Sequence, residues 1–258
     1  MRLHFLSALF LLPAIFCSAQ VKIIGHRGYS WLAPENTVAS AKLAWENNAD
    51  GVETDIFLTS DKKIICSHDA STKRTSGMDL KISETDSRVL RKLDVGILKS
   101  PEYRGERMPF LDELIKTVPA GKELVVEIKC GPEVLPYLEK VVSKYESKTE
   151  IDFICFDFQT IVQARKVFPK NDCYWLCSKK ELLDKYLSAA HDSGLNGISL
   201  SSDIIDEDVF KRANDLGLDV YSWTIDKPEE AQRLIGLGVK GITTNRPGWL
   251  REQLGFKK

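Results

Sequence analysis

The sequence predicts an α/β fold, a TIM (β/α)8 barrel with a small insertion after the second barrel strand. Apolar, strand-like runs alternate with helical segments, and eight such units fit into about 240 residues, the usual size of this barrel. A doubly wound open sheet is the alternative. It usually has fewer units and a glycine-rich phosphate loop, and neither G-x-G-x-x-G nor G-x-x-x-x-G-K-S/T occurs in the chain.

Each element follows from its own pattern. The predicted strands are short apolar runs rich in β-branched and aromatic residues: 21–25, 51–58, 124–128, 151–156, 173–176, 197–200, 219–225 and 241–244. The predicted helices have helical apolar periodicity: 37–47, 111–118, 134–145, 160–168, 180–190, 206–216, 228–237 and 247–254. Gly194, Gly217 and Gly238 follow three of these helices, as glycine commonly does at helix ends.

One polar segment interrupts the alternation. Residues 63–66 form a further apolar run after the second strand, and residues 69–109 are then polar, without a clean period. We expect this segment to be the insertion. It follows a barrel strand, where loops often carry function.

The first residues match the three-part pattern of a secretory signal. A short cationic start and the apolar run 5–16 are followed by small residues that end at Ala19. We therefore expect residues 1–19 to be a signal peptide cleaved near Ala19, which leaves one barrel domain, 20–258. The product is expected to be exported, periplasmic or secreted, and soluble.

Two other interpretations of this segment are less consistent with the sequence. Pro13 disfavours a buried N-terminal helix, and the bulky residue before Cys17 disfavours a lipid anchor there. The apolar run is also too short to cross a bilayer of roughly 30 Å as a helix. We expect no stable membrane span.

The composition is that of an ordinary globular protein. The chain has 258 residues, of which 43% are hydrophobic and 28% charged, and its formal net charge is −1. Nucleic acids are held largely by basic side chains on their phosphates. Because the chain has no basic excess, we expect no nucleic-acid partner.

The cysteines are expected to be mostly buried free thiols. Five of the six lie after the expected cleavage site. Cys173 and Cys177 are four residues apart in a predicted strand, which separates their Cα atoms by about 13 Å, beyond the roughly 7 Å that a disulfide allows. No C-x-x-C pair occurs, so a finger-type zinc site is unsupported.

Polar side chains gather at the ends of predicted strands, where barrel enzymes hold their catalytic groups. These side chains are His26, Arg27, Glu53, Asp55, His68, Glu127 and Lys129. Alternate residues of a strand face the same side, so Glu53 and Asp55 form one pair and Glu127 and Lys129 another. Any one of these groups could serve only to cap a helix, but their convergence indicates a site.

The chemistry of this set is specific. Three carboxylates suit a hard cation, Mg²⁺ or Ca²⁺, and both remain candidates because both take oxygen ligands. An arginine and a lysine form a clamp for an anion such as phosphate. Two histidines can exchange protons near neutral pH. Together they favour cleavage of a phosphoryl ester, and no G-x-S-x-G elbow indicates a serine esterase.

A series of short motifs extends this pattern along the chain. In order, the motifs are His26-Arg27-Gly28, Pro34-Glu35-Asn36-Thr37, Glu53-x-Asp55, Thr59-x-Asp61, His68-Asp69, Arg74-Thr75-Ser76-Gly77, Pro109-Phe110-Leu111-Asp112-Glu113, Glu127-Ile128-Lys129, Tyr221-Ser222-Trp223-Thr224 and Gly241-Ile242-Thr243-Thr244-Asn245-Arg246-Pro247. The series resembles the glycerophosphodiester phosphodiesterase family over essentially the whole chain after residue 19.

The resemblance implies a TIM barrel, one divalent cation and hydrolysis of small glycerophosphodiesters to glycerol 3-phosphate and an alcohol. A substrate hydroxyl attacks phosphorus in the mechanism proposed for the family, and water then opens the cyclic phosphate. The residue roles that it implies are metal binding by Glu53, Asp55 and Glu127, acid/base catalysis by His26 and His68, and phosphate binding by Arg27 and Lys129. Trp223 would contact the glycerol or the leaving group, although a core aromatic fits equally well.

Two rival functions remain. One is a related phosphodiesterase that acts on lysophospholipid or glycerophosphoinositol-type headgroups. The other is a non-catalytic barrel that binds phosphorylated ligands, although no expected histidine or carboxylate is missing. The chain departs from the family pattern at Asn245, where aspartate is common, at Cys155, where serine is usual, and at the polar pair Thr72-Lys73. We expect the change at Asn245 to affect substrate preference more than catalysis.

Overall fold

The structure is a computed structural model that describes residues 21–145 and 147–256, and the expected signal peptide lies outside them. The strands are β1 (Lys22–Gly25), β2 (Gly51–Leu58), β3 (Ile64–Cys66), β4 (Glu123–Ile128), β5 (Glu150–Cys155), β6 (Cys173–Cys177), β7 (Gly197–Ser201), β8 (Asp219–Trp223) and β9 (Gly241–Thr244). The α-helices are α1 (Val38–Glu46), α2 (Lys73–Ser76), α3 (Ser87–Leu90), α4 (Leu111–Ile115), α5 (Leu135–Val142), α6 (Phe158–Val167), α7 (Lys180–Asp192), α8 (Glu207–Asp215), α9 (Pro228–Leu237) and α10 (Pro247–Gln253). Short 3-10 helices span Ile82–Glu84, Pro101–Tyr103, Pro132–Val134 and Ser202–Ile204.

The strands close into a barrel. Around it the order is β1, β2, β4, β5, β6, β7, β8 and β9, all parallel, and β9 pairs back onto β1. Gly25 aligns with Val52 on one side and with Thr244 on the other. β3 folds back antiparallel on β2. The predicted TIM barrel is confirmed, and the open doubly wound sheet is wrong because the sheet has closed on itself.

Local sequence signals set the ends of the helices. Asp157 accepts a hydrogen bond from the backbone N–H of Thr160 over 2.7 Å, and Asp206 accepts one from Val209 over 2.8 Å, so both cap the helix that follows. Gly238 ends α9 in the left-handed region, at a φ of 102°, which glycine adopts without a side-chain clash. These signals explain why most predicted boundaries lie within a few residues of the observed ones.

Apolar layers fill the barrel and surround it. The middle of the interior is filled by Ile24, Val125, Ile154, Tyr174, Leu176 and Tyr221. A separate small core holds the segment after β3, and its members are Ile65, Ile82, Leu90, Leu93, Val95 and Met108. The expected insertion therefore packs on its own apolar cluster, and its short helices include α2 and α3.

The cysteines that the structure describes are all free thiols, as expected. Only Cys130 among them is partly exposed. Burial raises the pKa of the Cys155 thiol to about 12, so this thiol stays protonated and unreactive at neutral pH. Among the helices of the described residues, none has the length and apolar character that a bilayer crossing requires.

A charged group closes the end of the barrel opposite the polar strand ends. Lys22 on β1 pairs with Glu123 on β4 and lies 3.7 Å from Glu150 on β5. Asp152, also on β5, is only 4% exposed. Burial and then the Glu123 and Asp172 carboxylates raise the pKa of Asp152 to about 8. This aspartate is therefore protonated in the folded protein at neutral pH.

The raised pKa makes Asp152 a source of pH-dependent instability. Between its unfolded value of about 3.9 and its folded value of about 8, the folded state binds more protons than the unfolded state, so stability falls as pH rises. Asp152→Asn mimics the protonated form. We expect its free energy of unfolding, relative to that of the wild type, to increase by roughly 1–3 kcal/mol as the pH rises from about 5 to about 8. Urea unfolding of both proteins at several pH values measures this gain, and parallel curves would contradict it.

Candidate active site

The predicted site residues meet at the C-terminal end of the barrel strands. A cavity of about 180 Å³ opens there, and all of them line it except Asp55, which lies buried behind it. Those lining it are His26, Arg27, Glu53, His68, Glu127, Lys129 and Trp223. Most of these residues converge because the carboxyl ends of parallel strands share one rim of the barrel, whereas His68 follows β3, which runs antiparallel to β2.

Three carboxylates form a compact cluster in the wall of this cavity. Glu53 and Asp55 extend from β2, and Glu127 extends from β4, where Asp55 and Glu127 are register partners. Each contributes one oxygen to a group whose members all lie within 4.8 Å of one another. All three residues are less than a tenth exposed.

Burial and repulsion between carboxylates disfavour the charged forms of Glu53 and Glu127. Burial, followed by the Asp55 and Glu127 charges, raises the pKa of Glu53 well above its usual value. Burial and the Asp55 charge raise the pKa of Glu127 to about 7. The buried oxygens Glu53 Oε1 and Asp55 Oδ1 accept no hydrogen bond from any described residue. Close carboxylates with unsatisfied buried oxygens fit a hard cation such as Mg²⁺ or Ca²⁺.

Two residues from the loop after β1 hold the carboxylates in place. The backbone N–H of Arg27 donates to Glu53 Oε2 over 2.9 Å. Asn36 Nδ2 donates to Asp55 Oδ2 over 2.8 Å, and Asn36 Oδ1 accepts from the Asp55 backbone. Arg27 and Asn36 have φ angles of 54° and 57°. Such left-handed backbone is uncommon outside glycine and is frequent at functional sites.

The cationic side chains lie beside the carboxylates. Lys129 Nζ is 2.9 Å from Glu127 Oε1 and 3.6 Å from Asp55 Oδ1. Arg27 Nε is 3.4 Å from Asp55 Oδ2, and its Nη1 donates to Glu35 Oε1 over 3.0 Å. Both cations therefore reach the cavity and the carboxylate cluster at once. An anion in the cavity would meet two positive charges.

The two histidines have different partners. His26 Nδ1 lies 2.7 Å from the amide oxygen of Asn245, whereas His68 Nδ1 lies 2.7 Å from the carboxylate of Asp69. Burial and then the positive charge of Arg27 lower the pKa of His26 to about 4. His26 is therefore neutral at neutral pH and can accept a proton.

An ion-pair network connects His68 to the loop after β1. Arg74, from α2 in the insertion, donates to Asp69 Oδ2 over 2.7 Å. Its two terminal nitrogens also donate to the two Glu35 oxygens over 2.8 and 2.7 Å. Glu35 in turn accepts from Arg27. The insertion thus connects the partner of one histidine with a phosphate-binding candidate, a link that the sequence pattern does not predict.

Aromatic side chains form the opposite wall. Trp223 lines the cavity and its Nε1 donates to the Ser199 carbonyl over 3.1 Å. Its ring meets Phe156 edge to face, with 5.5 Å between centroids. Trp223 also packs on the apolar interior of the barrel, so it belongs both to the core and to the cavity wall. Phe156 was not predicted as a site residue because an apolar residue at the end of a predicted strand carries no signal of function.

The structure gives the contacts of two residues that depart from the family pattern, Cys155 and Asn245. Cys155 is buried, and its Sγ donates to the Ile128 carbonyl over 3.1 Å, as a serine hydroxyl could. Asn245 lies against His26 and at 3.0 Å from Ser30 Oγ. Asn245 therefore contacts a candidate acid/base group, and the expectation that it affects substrate preference more than catalysis stays a prediction.

Comparison of the sequence with known proteins identifies a family and several relatives. The model of the glycerophosphoryl diester phosphodiesterase family matches residues 26–249. A glycerophosphodiester phosphodiesterase of Caldanaerobacter subterraneus is 30% identical, over 87% of this chain and 94% of its own. The putative glycerophosphodiester phosphodiesterase YhdW of Bacillus subtilis is 28% identical, over 88% of this chain and 96% of its own.

Structural comparison gives the same result. An Oleispira antarctica phosphodiesterase, solved in complex with the product sn-glycerol-3-phosphate, superimposes with a TM-score of 0.85. The two chains are 25% identical, and the match covers 91% of this chain and 96% of the other.

Proposed function

The chain belongs to the glycerophosphoryl diester phosphodiesterase family, and from this we propose that it hydrolyses glycerophosphodiesters to glycerol 3-phosphate and an alcohol, with a divalent cation and two histidines. One observation carries the proposal. The carboxylate cluster, both cationic side chains and both histidines border a single cavity at the catalytic end of the barrel. The structural relative that holds glycerol 3-phosphate supports the same product.

The cation is assigned to Glu53, Asp55 and Glu127. Glu53 and Asp55 each keep a buried oxygen without a hydrogen bond, and repulsion raises the pKa of Glu53 and of Glu127 although Arg27 and Lys129 lie nearby. A bound cation would offset both effects. Mg²⁺ and Ca²⁺ both suit this oxygen-only set, and we propose one ion of either kind. When bound, it would neutralise phosphate oxygens as charge develops on them.

The first step forms a cyclic phosphate. Arg27 and Lys129 bind the phosphate oxygens, which is consistent with their place beside the cavity. Neutral His26 accepts the proton of the neighbouring glycerol hydroxyl as its oxygen attacks phosphorus. The bond from phosphorus to the alcohol oxygen breaks, and His68, as the general acid, donates a proton to that oxygen. The Asp69 carboxylate orients His68 through its Nδ1.

The second step reverses the proton transfers. His68, now neutral, accepts a proton from water as the water oxygen attacks the cyclic phosphate. The bond to the glycerol hydroxyl oxygen breaks, and His26 returns the proton to it. The sum is one phosphodiester and one water converted to glycerol 3-phosphate and one alcohol, with both histidines restored.

A headgroup panel tests the proposal. The purified protein with Mg²⁺ or Ca²⁺ is incubated with glycerophosphocholine, glycerophosphoethanolamine or glycerophosphoinositol, and both products are measured. We expect equal amounts of glycerol 3-phosphate and free alcohol, with one oxygen of labelled water in the glycerol 3-phosphate. Release of glycerol together with a phosphorylated headgroup would contradict the proposed bond cleavage, and no release from any substrate would contradict the function.

A lysophospholipid is the second candidate substrate. Large exposed apolar side chains lie on loops that follow barrel strands: Trp31 and Leu32 after β1, and Phe156 after β5. Phe156 is 45% exposed and also lines the cavity, so an acyl chain could leave the site over apolar surface. Including lysophosphatidylcholine in the same panel decides between the two classes by their relative kcat/KM.

A further inference from the structure

Asn245 connects the end of β9 to His26. Its Oδ1 is 2.7 Å from His26 Nδ1 and accepts from Ser30 Oγ over 3.0 Å. Its Nδ2 donates to Asp226 Oδ2 over 2.6 Å, and its backbone N–H donates to Asp226 Oδ1 over 2.9 Å. The amide thus lies between a carboxylate on one side and an imidazole and a hydroxyl on the other.

Asp226 determines which way this amide faces. Its carboxylate also accepts from Thr244 Oγ1 over 2.8 Å, so each of its oxygens is an acceptor. A flipped Asn245 amide would put its oxygen at 2.6 Å from a carboxylate oxygen, a contact between two acceptors. The Asn245 oxygen therefore faces His26.

An amide oxygen can only accept a hydrogen bond, so the proton in this contact belongs to His26 Nδ1. We infer that Asn245, oriented by Asp226, is a positioning residue that holds His26 in its Nδ1–H tautomer and leaves Nε2 as the proton acceptor. The inference rests on the proposed function, in which His26 removes the proton of the glycerol hydroxyl. The amide orients the imidazole as a carboxylate does in a catalytic triad, without adding a negative charge beside it.

Three variants test the inference by kinetics. Asn245→Leu removes the acceptor at similar size and is expected to lower kcat about 10- to 100-fold with little change in KM. Asp226→Asn no longer fixes the orientation of the Asn245 amide, and it should lower kcat by less than Asn245→Leu does. The exchange variant Asp226→Asn with Asn245→Asp reverses only the hydrogen bond between these two side chains and keeps an acceptor oxygen for His26 and Ser30, so it should recover kcat to within about threefold of the wild type. Unchanged kcat in Asn245→Leu, or no recovery in the exchange variant when its melting temperature is native, would overturn the inference.

The tautomer of His26 can also be determined by NMR, without measuring hydrolysis. Nitrogen-15 NMR of histidine-labelled protein distinguishes a protonated ring nitrogen from an unprotonated one, and the His26 signals are those lost in His26→Gln. We expect a protonated Nδ1 and an unprotonated Nε2 in the wild type, and a mixture of tautomers in Asn245→Leu. An Nε2–H tautomer in the wild type would overturn the inference. Absence of hydrolysis by the wild type would overturn the proposed function instead, while the spectrum still decides the tautomer.

Discussion

Replacing His26 with alanine is expected to lower kcat about 10²- to 10⁴-fold, because the glycerol hydroxyl then loses its proton acceptor. His68→Ala is expected to have an effect of the same order, since the leaving alcohol loses its proton donor. Neither substitution removes a carboxylate or a phosphate-binding cation, so KM should change little. Steady-state hydrolysis of glycerophosphocholine with saturating cation measures both constants.

His191→Ala is the matched control. His191 is exposed in the last turn of α7 and lies outside the cavity, so kcat and KM should both remain at their wild-type values. A His26→Ala protein that folds and keeps a near-normal kcat would contradict the acid/base role. A large loss in His191→Ala would show that the effect of removing a histidine is not specific to the cavity.

Neutralising one carboxylate of the cluster is expected to abolish most activity. Asp55→Asn and Glu53→Gln each remove one negative charge and one anionic ligand from a three-carboxylate site. We expect each variant to lose about 10³-fold or more in kcat/KM and to bind the cation much more weakly. Because the repulsion on the Glu53 carboxylate is then removed, metal-free Glu53→Gln should also melt at a higher temperature than the metal-free wild type.

Glu150→Gln is the control for this pair. It removes a carboxylate from the group of Glu123, Glu150 and Asp152 at the opposite end of the barrel, where Lys22 already supplies a positive charge. Calorimetric titration with Mg²⁺ and with Ca²⁺, together with kcat/KM, should show wild-type behaviour for Glu150→Gln. Wild-type cation affinity in Asp55→Asn would remove this cluster from consideration as the metal site.

The barrel was predictable because its elements are set by short-range patterns. β2, α9 and β9 have the bounds that the sequence predicted, since turn residues and glycines mark their ends. β3 was seen only as an apolar run, because its antiparallel pairing with β2 depends on a contact that periodicity does not encode.

The site was predictable as a set of residues but not as a network. Alternation along β2 indicated that Glu53 and Asp55 share a face, and the structure places both in the cluster. The ties between loops could not be read in advance, because Arg74 and Glu35 are 39 positions apart and meet only in the folded chain. Asn245 was noticed as a departure, but its contact with His26 requires the closure of the barrel between β9 and β1.

Cation dependence is the central claim, and removal and return of the ion test it most directly. The purified protein is stripped with a chelator, assayed on glycerophosphocholine, and assayed again after stoichiometric Mg²⁺ or Ca²⁺ is added. We expect release of glycerol 3-phosphate to fall by about 10³-fold or more in the stripped protein and to return when one equivalent of ion is bound. Full turnover by the stripped protein would contradict the account.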